Sequence, residues 1–333
     1  MIHVAGTTIS WTATGSSPSI TGFGPGSGNA IQQTLTNSSF SPQTVTYVVS
    51  PVANGCLGNN ESVQVTVYAN PFVNFLACFD TMTTRNSRPI VLTGATPFGG
   101  TYSGGGVTAG VFDPGIAGAG IHTVNYSYTN TYGCSSMAAA RIHVFNAAPF
   151  TCGNMLTDIR DSQTYATILI GSQCWMAENL NFGTEIPVTQ VQRDNCISEK
   201  YSLHPSPLTT QSFYQWDEVM QYTASEGTKG ICPPAWHVPG ESEWNALFAV
   251  YLGNGFAGNP LKYTGYSGFN ASLYGSWFNP DLWYYSNFAT FLWSSTPHGQ
   301  WKAWAHGFND PDPSVSIYPS LRSNAFNVRC IKD

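Results

Sequence analysis

The chain has 333 residues, of which 9% are charged and 42% are hydrophobic, and its formal net charge is -6. The length fits two or three domains, and the apolar content excludes an intrinsically disordered chain. Lysine and arginine form no cluster that could neutralise phosphates, which excludes nucleic acid as a partner. Because no apolar run is long enough to cross a bilayer, no transmembrane segment is expected.

The cysteines of the chain predict an extracellular or cell-surface location, although its first residues do not form a signal peptide. Its eight cysteines are scattered and form no CxxC pair, which argues against a zinc site and favours disulfides in an oxidising compartment. The start of the chain, MIHVAGTTISW, lacks the basic segment and apolar core of a signal peptide. We therefore expect the chain to begin inside a domain, with its export signal encoded upstream.

Residues 1–70 are predicted to form a β-sandwich. Apolar and polar residues alternate in residues 44–49 and 62–68, which is the period of a half-buried strand. The glycine-rich residues 22–29 indicate turns, because no Lys-Ser/Thr pair follows to complete a phosphate loop. Five short stretches of this segment are similar to a known type of repeat, at residues 9–11, 26–31, 35–37, 44–47 and 54–56. They resemble PKD-like, immunoglobulin-type repeats of bacterial surface proteins. Such repeats usually carry an earlier cysteine, so the resemblance implies an N-terminally truncated repeat in which Cys56 has no partner.

Residues 71–146 are predicted to form a second, immunoglobulin-like sandwich. The strand candidates are residues 89–92, 99–103, 120–128 and 140–145, separated by turn signals about every eight to twelve residues. Cys78 lies near the first strand and Cys134 near the penultimate one, so we predict a Cys78–Cys134 disulfide between the two sheets. Residues 98–107 and 112–114 resemble another immunoglobulin-like surface repeat. Both sandwiches are interpreted as spacers.

The character of the chain changes after the linker at residues 146–149. Nine of the ten tryptophans follow residue 150. Apolar residues at helical spacing predict two helices, at residues 212–222 and 241–252. Strands are expected at residues 165–170 and 325–331, with a return strand or short helix at residues 175–180.

This C-terminal part resembles the Fibrobacter succinogenes major paralogous domain, a family of secreted bacterial proteins. The matching stretches, in family order, are residues 157–161, 170–180, 214–218, 230–247, 293–295 and 327–333. Residues 238–244 (VPGESEW) and 328–330 also resemble formylglycine-generating-enzyme and C-type-lectin folds. These likenesses imply an α+β domain over residues 150–333, with two helices, paired N- and C-terminal strands and a long irregular loop region.

The resemblance also bears on the disulfides of this domain. Cys232 and Cys330 flank its best-matched segments, so a Cys232–Cys330 bond is expected. We assign Cys152–Cys174 as a further pair, which leaves Cys196 without a partner. Relatives often carry a cysteine after the Lys-Tyr of this region, where Ser202 stands in this chain.

An aromatic loop at residues 274–293 is the predicted binding surface. Its rings include Trp277, Trp283, Tyr284 and Tyr285. Exposed flat rings suit the faces of sugars or protein partners. The same rings could instead fill the core of a helix-poor domain, and both alternatives stay open at this point.

Two polar clusters are candidate cation sites. Asn309, Asp310 and Asp312 gather oxygen ligands in one loop, as calcium requires, although an Asp-Pro turn is the alternative. No other cofactor is expected. His237, Glu241 and Glu243 could form a metal or acid–base cluster. The two glutamates point away from each other on a helix, however, so we expect His237 to pack beside Trp236 and bond to the turn.

Three functions follow from these patterns, and the first is favoured. It is a non-enzymatic surface protein whose spacers present a lectin-like domain that binds a carbohydrate or a protein. The second is a structural subunit of an extracellular filament or surface layer, which would self-assemble through an open sheet edge. The third is an enzyme with a formylglycine-generating-like fold, which we do not favour because the sequence shows no nucleophile, base and oxyanion set.

Overall fold

The structure is a computed structural model of the chain, and it describes residues 6–206, 209–278, 282–284 and 288–333. Of its residues, 43% lie in strands and 8% in helices, which confirms the prediction of a mostly-β fold. The chain forms two compact units, one from Met1–Phe75, Ala95–Tyr102 and Asn125–Ala139, and one from Leu76–Gly94, Ser103–Val124 and Ala140–Asp333. Among the described residues, no helix has the length and apolarity that crossing a bilayer requires.

The first unit is built on an antiparallel sheet near the start of the chain. Its early strands are β1 (Thr7–Gly15), β2 (Ile20–Thr21), β3 (Gly26–Ser27), β4 (Thr36–Asn37), β5 (Gln43–Ala53), β6 (Cys56–Leu57), β7 (Glu61–Val67) and β8 (Asn74–Phe75). Strand β1 lies between β3 and β5, and β5 also pairs with β6 and β7. The buried side chains of Trp11, Ile20, Val45 and Tyr47 form its core. The strands predicted at residues 44–49 and 62–68 are confirmed.

The elements between residues 76 and 145 are short, except for the last two strands. They are β9 (Met82–Thr84), β10 (Ile90–Val91), β11 (Ala95–Thr96), β12 (Thr101–Ser103), β13 (Val107–Thr108), β14 (Val111–Phe112), α1 (Pro114–Ala117), β15 (Gly120–Thr129) and β16 (Ser135–Phe145). Strand β14 pairs with β10 and β13, and β16 pairs in parallel with β9. Helix α1 begins at Pro114 because the Asp113 carboxylate accepts hydrogen bonds from the first free backbone N–H groups.

The chain from residue 150 carries two sheets and three short helices in its described part. Its elements are β17 (Leu156–Thr157), β18 (Thr164–Tyr165), β19 (Thr167–Ile170), β20 (Gln173–Met176), β21 (Thr184–Glu185), β22 (Glu199–Ser206), β23 (Thr209–Gln215), α2 (Trp216–Val219), β24 (Trp236–His237), α3 (Glu241–Ala249), α4 (Asn254–Leu261), β25 (Tyr274–Phe278), β26 (Leu282–Tyr284), β27 (Ala289–His298), β28 (Lys302–Asn309), β29 (Val315–Leu321), β30 (Ala325–Phe326) and β31 (Ile331–Lys332). A hairpin of β17 and β18 lies beside them.

The smaller sheet joins the beginning and the end of this region. Its order is β19-β20-β31-β24, with Trp175 opposite Ile331 and Trp236 opposite Lys332. The implied pairing of N- and C-terminal strands is therefore present. The larger sheet, of nine described strands, runs β21-β22-β23-β30-β25-β27-β28-β29, and β26 pairs with β25.

One helix prediction is wrong and one is confirmed. Residues 212–222 do not form a single helix, because β23 continues to Gln215 and α2 has only four residues. Strand β23 lies between two other strands and buries both Phe213 and Tyr214, so its apolar residues do not alternate as in a half-buried strand. The helix predicted at residues 241–252 is present as α3. It begins where the Glu243 carboxylate accepts a hydrogen bond from the Gly240 N–H (2.9 Å).

Helix α4 was not predicted, because its sequence NGFAGNPL contains two glycines and a proline. Its position requires one of those glycines. The Gly258 N–H donates to Pro313 O (2.8 Å), and a Cβ on Gly258 would lie 2.3 Å from Ser314 O. Close contact with the loop after β28 therefore holds this helix in place.

Disulfides join Cys152 to Cys174, Cys232 to Cys330 and Cys78 to Cys196. The first two are the predicted pairs, with Cα–Cα distances of 5.8 and 5.9 Å. The Cys78–Cys134 prediction is wrong, and so is the prediction that Cys196 has no partner. The reason is that the segment Leu76–Gly94, with Cys78, belongs to the compact unit that contains Cys196, whereas Cys134 belongs to the other unit. Cys134 and Cys56 are free, and Cys56 was predicted to be so.

Candidate functional site

The aromatic loop does not present Trp277 to solvent. Its side chain is only 6% exposed and packs with Tyr201, Phe213 and Ala325. The core alternative therefore holds for Trp277. Trp283 and Tyr284 lie in β26, but their side chains are outside the described residues, as is the whole of Tyr285. A binding role for those three stays a prediction.

The loop with Asn309, Asp310 and Asp312 already holds a cation of the protein itself. The Lys262 ammonium, on a side chain that is 3% exposed, donates to the carbonyl oxygens of Asn309 and Asp312 (3.0 Å each). It also lies 3.4 Å from the Asp310 carboxylate. Three of the oxygen atoms that calcium would need are therefore directed at Lys262. No group of three or more His, Cys, Asp or Glu side chains arranged for a metal occurs in the described residues.

We propose that Lys262 serves this loop in place of calcium. Lys262→Met is expected to lower the free energy of unfolding by about 2 kcal/mol, because it removes the charged donor that the part-buried carbonyls of Asn309 and Asp312 share. Calcium or EDTA is expected to leave the melting temperature of the unaltered protein unchanged. Differential scanning fluorimetry checks both, with exposed Lys302→Met as the control. A calcium-dependent rise in melting temperature would contradict the proposal.

Buried His237 contacts a cluster of partly exposed charged side chains rather than bonding to the turn as expected. Its Nδ1 lies 2.7 Å from the Asp333 carboxylate and its Nε2 lies 2.7 Å from Glu243. Arg88 also bonds to Asp333, at 2.6 Å. Glu241 instead faces a second buried histidine, His306, at 3.4 Å. The two glutamates thus contact different histidines, and we interpret the cluster as structural.

The His237 cluster predicts a pH dependence of stability. Burial alone would lower the pKa of His237, but the hydrogen bonds to Asp333 and Glu243 outweigh it and raise that pKa. The contribution is therefore complete below the unfolded pKa of about 6.5 and is lost as the pH rises through the higher folded value. His237→Gln should lower the free energy of unfolding by about 1–2 kcal/mol at pH 6 and by less at pH 9.

Urea unfolding at the two pH values measures this difference. Exposed His298→Gln is the matched control and should show no such change with pH. A loss for His237→Gln that grows toward pH 9 would contradict the assignment.

A groove of about 810 Å³ in the second unit is the best-formed candidate site. Five amide side chains line it, together with tyrosines and one carboxylate. The amides are Gln163, Asn179, Asn181, Gln211 and Asn270, and the other polar groups used below are Tyr165, Glu178, Tyr263, Tyr274 and Arg329. Groups of this kind form directional hydrogen bonds but carry little net charge.

Arg329, just before β31, forms the floor of the groove and is 1% exposed. Its guanidinium donates to the carbonyl oxygens of Met176 (3.1 Å), Asn270 (2.9 Å) and Phe269 and lies over the Phe269 ring. Burial lowers the pKa of Arg329 to about 9. Asn270 accepts this contact from a left-handed backbone (φ 56°), a conformation that asparagine tolerates better than most residues.

The charge on Arg329 orients a chain of two amides. Its Nε donates to Asn179 Oδ1 (2.6 Å), so the Asn179 amide must direct its NH₂ group away. That group donates to Gln211 Oε1 (2.9 Å). The order Arg329, Asn179, Gln211 leaves the Gln211 NH₂ group with no hydrogen-bond acceptor among the described residues. Because Gln211 lines the groove, we expect this donor to bind a ligand there.

A second chain is oriented in the same way by Lys200. The Lys200 ammonium, on a residue only 9% exposed, donates to Asn181 Oδ1 (2.6 Å). The Asn181 NH₂ group then donates to Gln163 Oε1 (2.9 Å), and Gln163 donates to the Asp161 carboxylate (2.9 Å). Two buried cations thus set the direction of four amides, and the groove is organised before any ligand arrives.

The rim of the groove supplies ring faces and one acidic acceptor. Tyr263 is 60% exposed and Tyr274 is half-buried. Glu178 is exposed and accepts a hydrogen bond from the Ala166 N–H (2.9 Å). Directed amides along the floor and ring faces on the rim suit a ligand with hydroxyl edges and apolar C–H faces.

A second cavity of about 570 Å³ is less suited to a ligand, because two of the charged side chains that line it, Asp80 and Arg160, already form ion pairs within the protein. Arg160 pairs with Asp158 (2.7 Å) and Asp80 (3.4 Å), and Lys229 pairs with Asp80 (2.5 Å). Burial raises the pKa of Glu218, which also lines this cavity, to about 7. Both of its oxygens accept hydrogen bonds, from Glu199 N (3.1 Å) and Tyr222 Oη (2.9 Å), so we interpret it as structural.

Sequence reasoning did not find the groove residues. They come from five separate stretches of chain and share no motif spacing. One signal was available: residues 176–181 (MAENLN) and 327–329 (NVR) place amides and an arginine in the segments that match the family best. That pattern was used only to identify the domain.

Comparisons with known proteins agree with the domain order expected from the sequence. Residues 168–332 match the Fibrobacter succinogenes major domain, and residues 1–71 match the PKD-like domain. No curated protein matches the chain. The chain therefore carries a PKD-like domain followed by a Fibrobacter succinogenes major domain, in the order expected from the sequence.

Proposed function

We propose that this chain is a non-enzymatic adhesion protein, secreted or attached to the cell surface, whose lectin-like C-terminal domain binds a glycan. The PKD-like domain and the disulfides fit a surface protein. One observation carries the binding role: the amides that line the groove are oriented in advance by two buried cations, Arg329 and Lys200. The N-terminal domains then serve as spacers.

A glycan suits the groove better than a charged peptide. Amide groups both donate and accept, which matches hydroxyl groups, and tyrosine rings pack on the C–H faces of sugars. The charge of Arg329 is already used by carbonyl oxygens and Asn179. Glu178 adds a single negative charge at the rim, so the groove has no excess of either sign with which to select an ionic ligand.

The carboxylate content of the groove supports the non-enzymatic part of this proposal. Glycoside hydrolysis uses two carboxyl groups that flank the bond to be broken. Among the described residues that line the groove, Glu178 is the only carboxylate. We therefore expect no release of reducing ends when the protein is incubated with a glycan that it binds.

A glycan array probed with the full chain tests the proposal. Gln211→Ala should weaken binding about tenfold, because it removes the free donor without touching Arg329. Exposed Gln300→Ala is the matched control and should bind like the unaltered protein. If binding survives both Gln211→Ala and Tyr263→Ala, the glycan binds outside the groove. If no glycan binds the unaltered protein, the proposed function is wrong.

Self-assembly is a second candidate, supported by strand β7. This strand pairs only with β5 in the described part of the first unit, and nearly all of its residues are exposed, including Val63 (50%) and Val65 (37%). An unprotected edge of this kind can pair with another strand. Sedimentation at increasing concentration tests it, with Val65→Lys expected to abolish any association. A monomer at all concentrations would exclude it.

A further inference from the structure

The loop that carries Tyr263 on the rim of the groove carries a second exposed tyrosine. Tyr263, which lines the groove, lies at the start of the loop that follows α4. Tyr266, three residues later, is 83% exposed, and its ring lies 6.2 Å from that of Tyr251 after α3. We call Tyr251, Tyr263 and Tyr266 the tyrosine row. Of these three rings, Tyr263 lines the groove, and Tyr266 lies three residues further along the same loop.

The loop that carries the tyrosine row is held by backbone hydrogen bonds. Tyr263 N donates to Ala271 O (3.0 Å), and Ser267 N donates to Pro260 O (3.2 Å). Between the two tyrosines, Gly265 approaches α4 so closely that a Cβ would lie 2.2 Å from Pro260 O. Because the loop is already ordered, a ligand that packs on these rings pays little ordering entropy.

The combination of the two surfaces selects among ligand classes. The groove alone offers amides for polar edges, and the row alone offers rings for apolar faces. A protein partner could use the rings but would not need a groove of oriented amides. A single sugar would use the groove but could not also cover Tyr266. A chain of linked sugars has polar edges and apolar faces along its whole length, and the groove lies at the upper end of the roughly 300–1,000 Å³ of small-molecule sites.

We infer that the groove and the tyrosine row bind one ligand, an extended neutral polysaccharide chain that passes from the amides across Tyr263 to Tyr266. This inference rests on the proposed glycan-binding function and adds the substrate class. It assigns Tyr266 as a residue that determines specificity for chain length. It also assigns Gln211 as the donor that binds the part of the chain inside the groove.

Calorimetric titration of the full chain with neutral oligosaccharides tests the inference. The probes are cello-, xylo- and manno-oligosaccharides, each from disaccharide to octasaccharide. The affinity for one series should rise about fivefold or more with chain length. Tyr266→Ala should remove that rise and leave the disaccharide affinity unchanged. Trp301→Ala removes another exposed ring (71%), on the β27–β28 turn, and should change neither.

The outcomes separate the inference from the proposed function. If affinity does not depend on chain length and Tyr266→Ala has no effect, the tyrosine row is not part of the site, but the groove still binds a glycan. If the unaltered protein binds none of the oligosaccharides or array glycans, both are wrong. Melting temperatures within about 2 °C of the unaltered protein, as expected for an exposed side chain, exclude misfolding of Tyr266→Ala.

Discussion

Replacing Arg329 by methionine is expected to lower the free energy of unfolding by about 3 kcal/mol or more and to abolish binding in the groove. The guanidinium satisfies the buried carbonyls of Met176 and Phe269, the part-buried carbonyl of Asn270 and Asn179 Oδ1, and each buried acceptor left unsatisfied costs about 1–3 kcal/mol. Removing a buried charge gives back part of this loss. The loss exceeds the gain because four acceptors depend on one side chain.

Urea unfolding followed by tryptophan fluorescence measures this effect, since nine of the ten tryptophans follow residue 150. Arg322→Met is the matched control. Its guanidinium also lies on a ring, that of Trp216, but it is 17% exposed, and its ion pair with Asp217 spans 3.5 Å. The control should lose less than about 1 kcal/mol. An Arg329→Met protein as stable as the control would contradict the role of Arg329 as the floor.

Removing the Cys232–Cys330 disulfide has the second large expected effect. The bond closes a loop of 98 residues and joins the segment before β24 to the segment before β31. In the chain-entropy model such a loop corresponds to about 4.7 kcal/mol, and measured losses are typically about 2–5 kcal/mol. Changing both cysteines to alanine should lower the free energy of unfolding of the domain by this amount.

The Cys152–Cys174 disulfide provides the comparison, because it closes a loop of only 22 residues. The same model gives about 3.4 kcal/mol for this bond. The double alanine variant of the longer loop should therefore unfold at the lower urea concentration. The reverse order would show that packing of the cysteines, rather than closure of the chain, decides their contribution.

Local sequence signals predicted much of this fold. Alternation in residues 44–49 and 62–68 predicted β5 and β7, and helical spacing predicted α3. Strand β5 and helix α3 bury one face, so their periodicity is visible in the sequence. Strand β7 alternates in the same way, although nearly all of its residues are exposed. Strand β23 has neighbours on both sides and buries both faces, and the same reasoning mistook part of it for a helix.

Some contacts between residues far apart in the sequence were not predicted correctly. Cys78 was assigned to Cys134 from an immunoglobulin-like pattern, but it bonds to Cys196, 118 residues away. No local signal reports which segments of a chain come together. The Lys262 ammonium in the predicted calcium loop is a second case, because its acceptors lie 47–50 positions further along the chain.

The candidate site was predicted least well, for a related reason. Aromatic residues drew attention to Trp277, yet many large rings in this domain are core residues: Trp175, Trp216, Trp244 and Trp293 are all fully buried, whereas Trp301 is exposed. Exposure, not residue type, distinguishes a binding ring from a core ring. The groove depends on the directions of amide side chains, which only the positions of Arg329 and Lys200 reveal.

Nuclear magnetic resonance of side-chain amides tests the central claim most directly. The full chain, labelled with ¹⁵N, is titrated with the pooled neutral oligosaccharides. The account predicts that the NH₂ signals of Gln211 and Asn270 shift while that of Gln300 does not, and that Arg329→Met removes the shifts. Shifts confined to side chains outside the groove, or no shifts with any sugar, would contradict it.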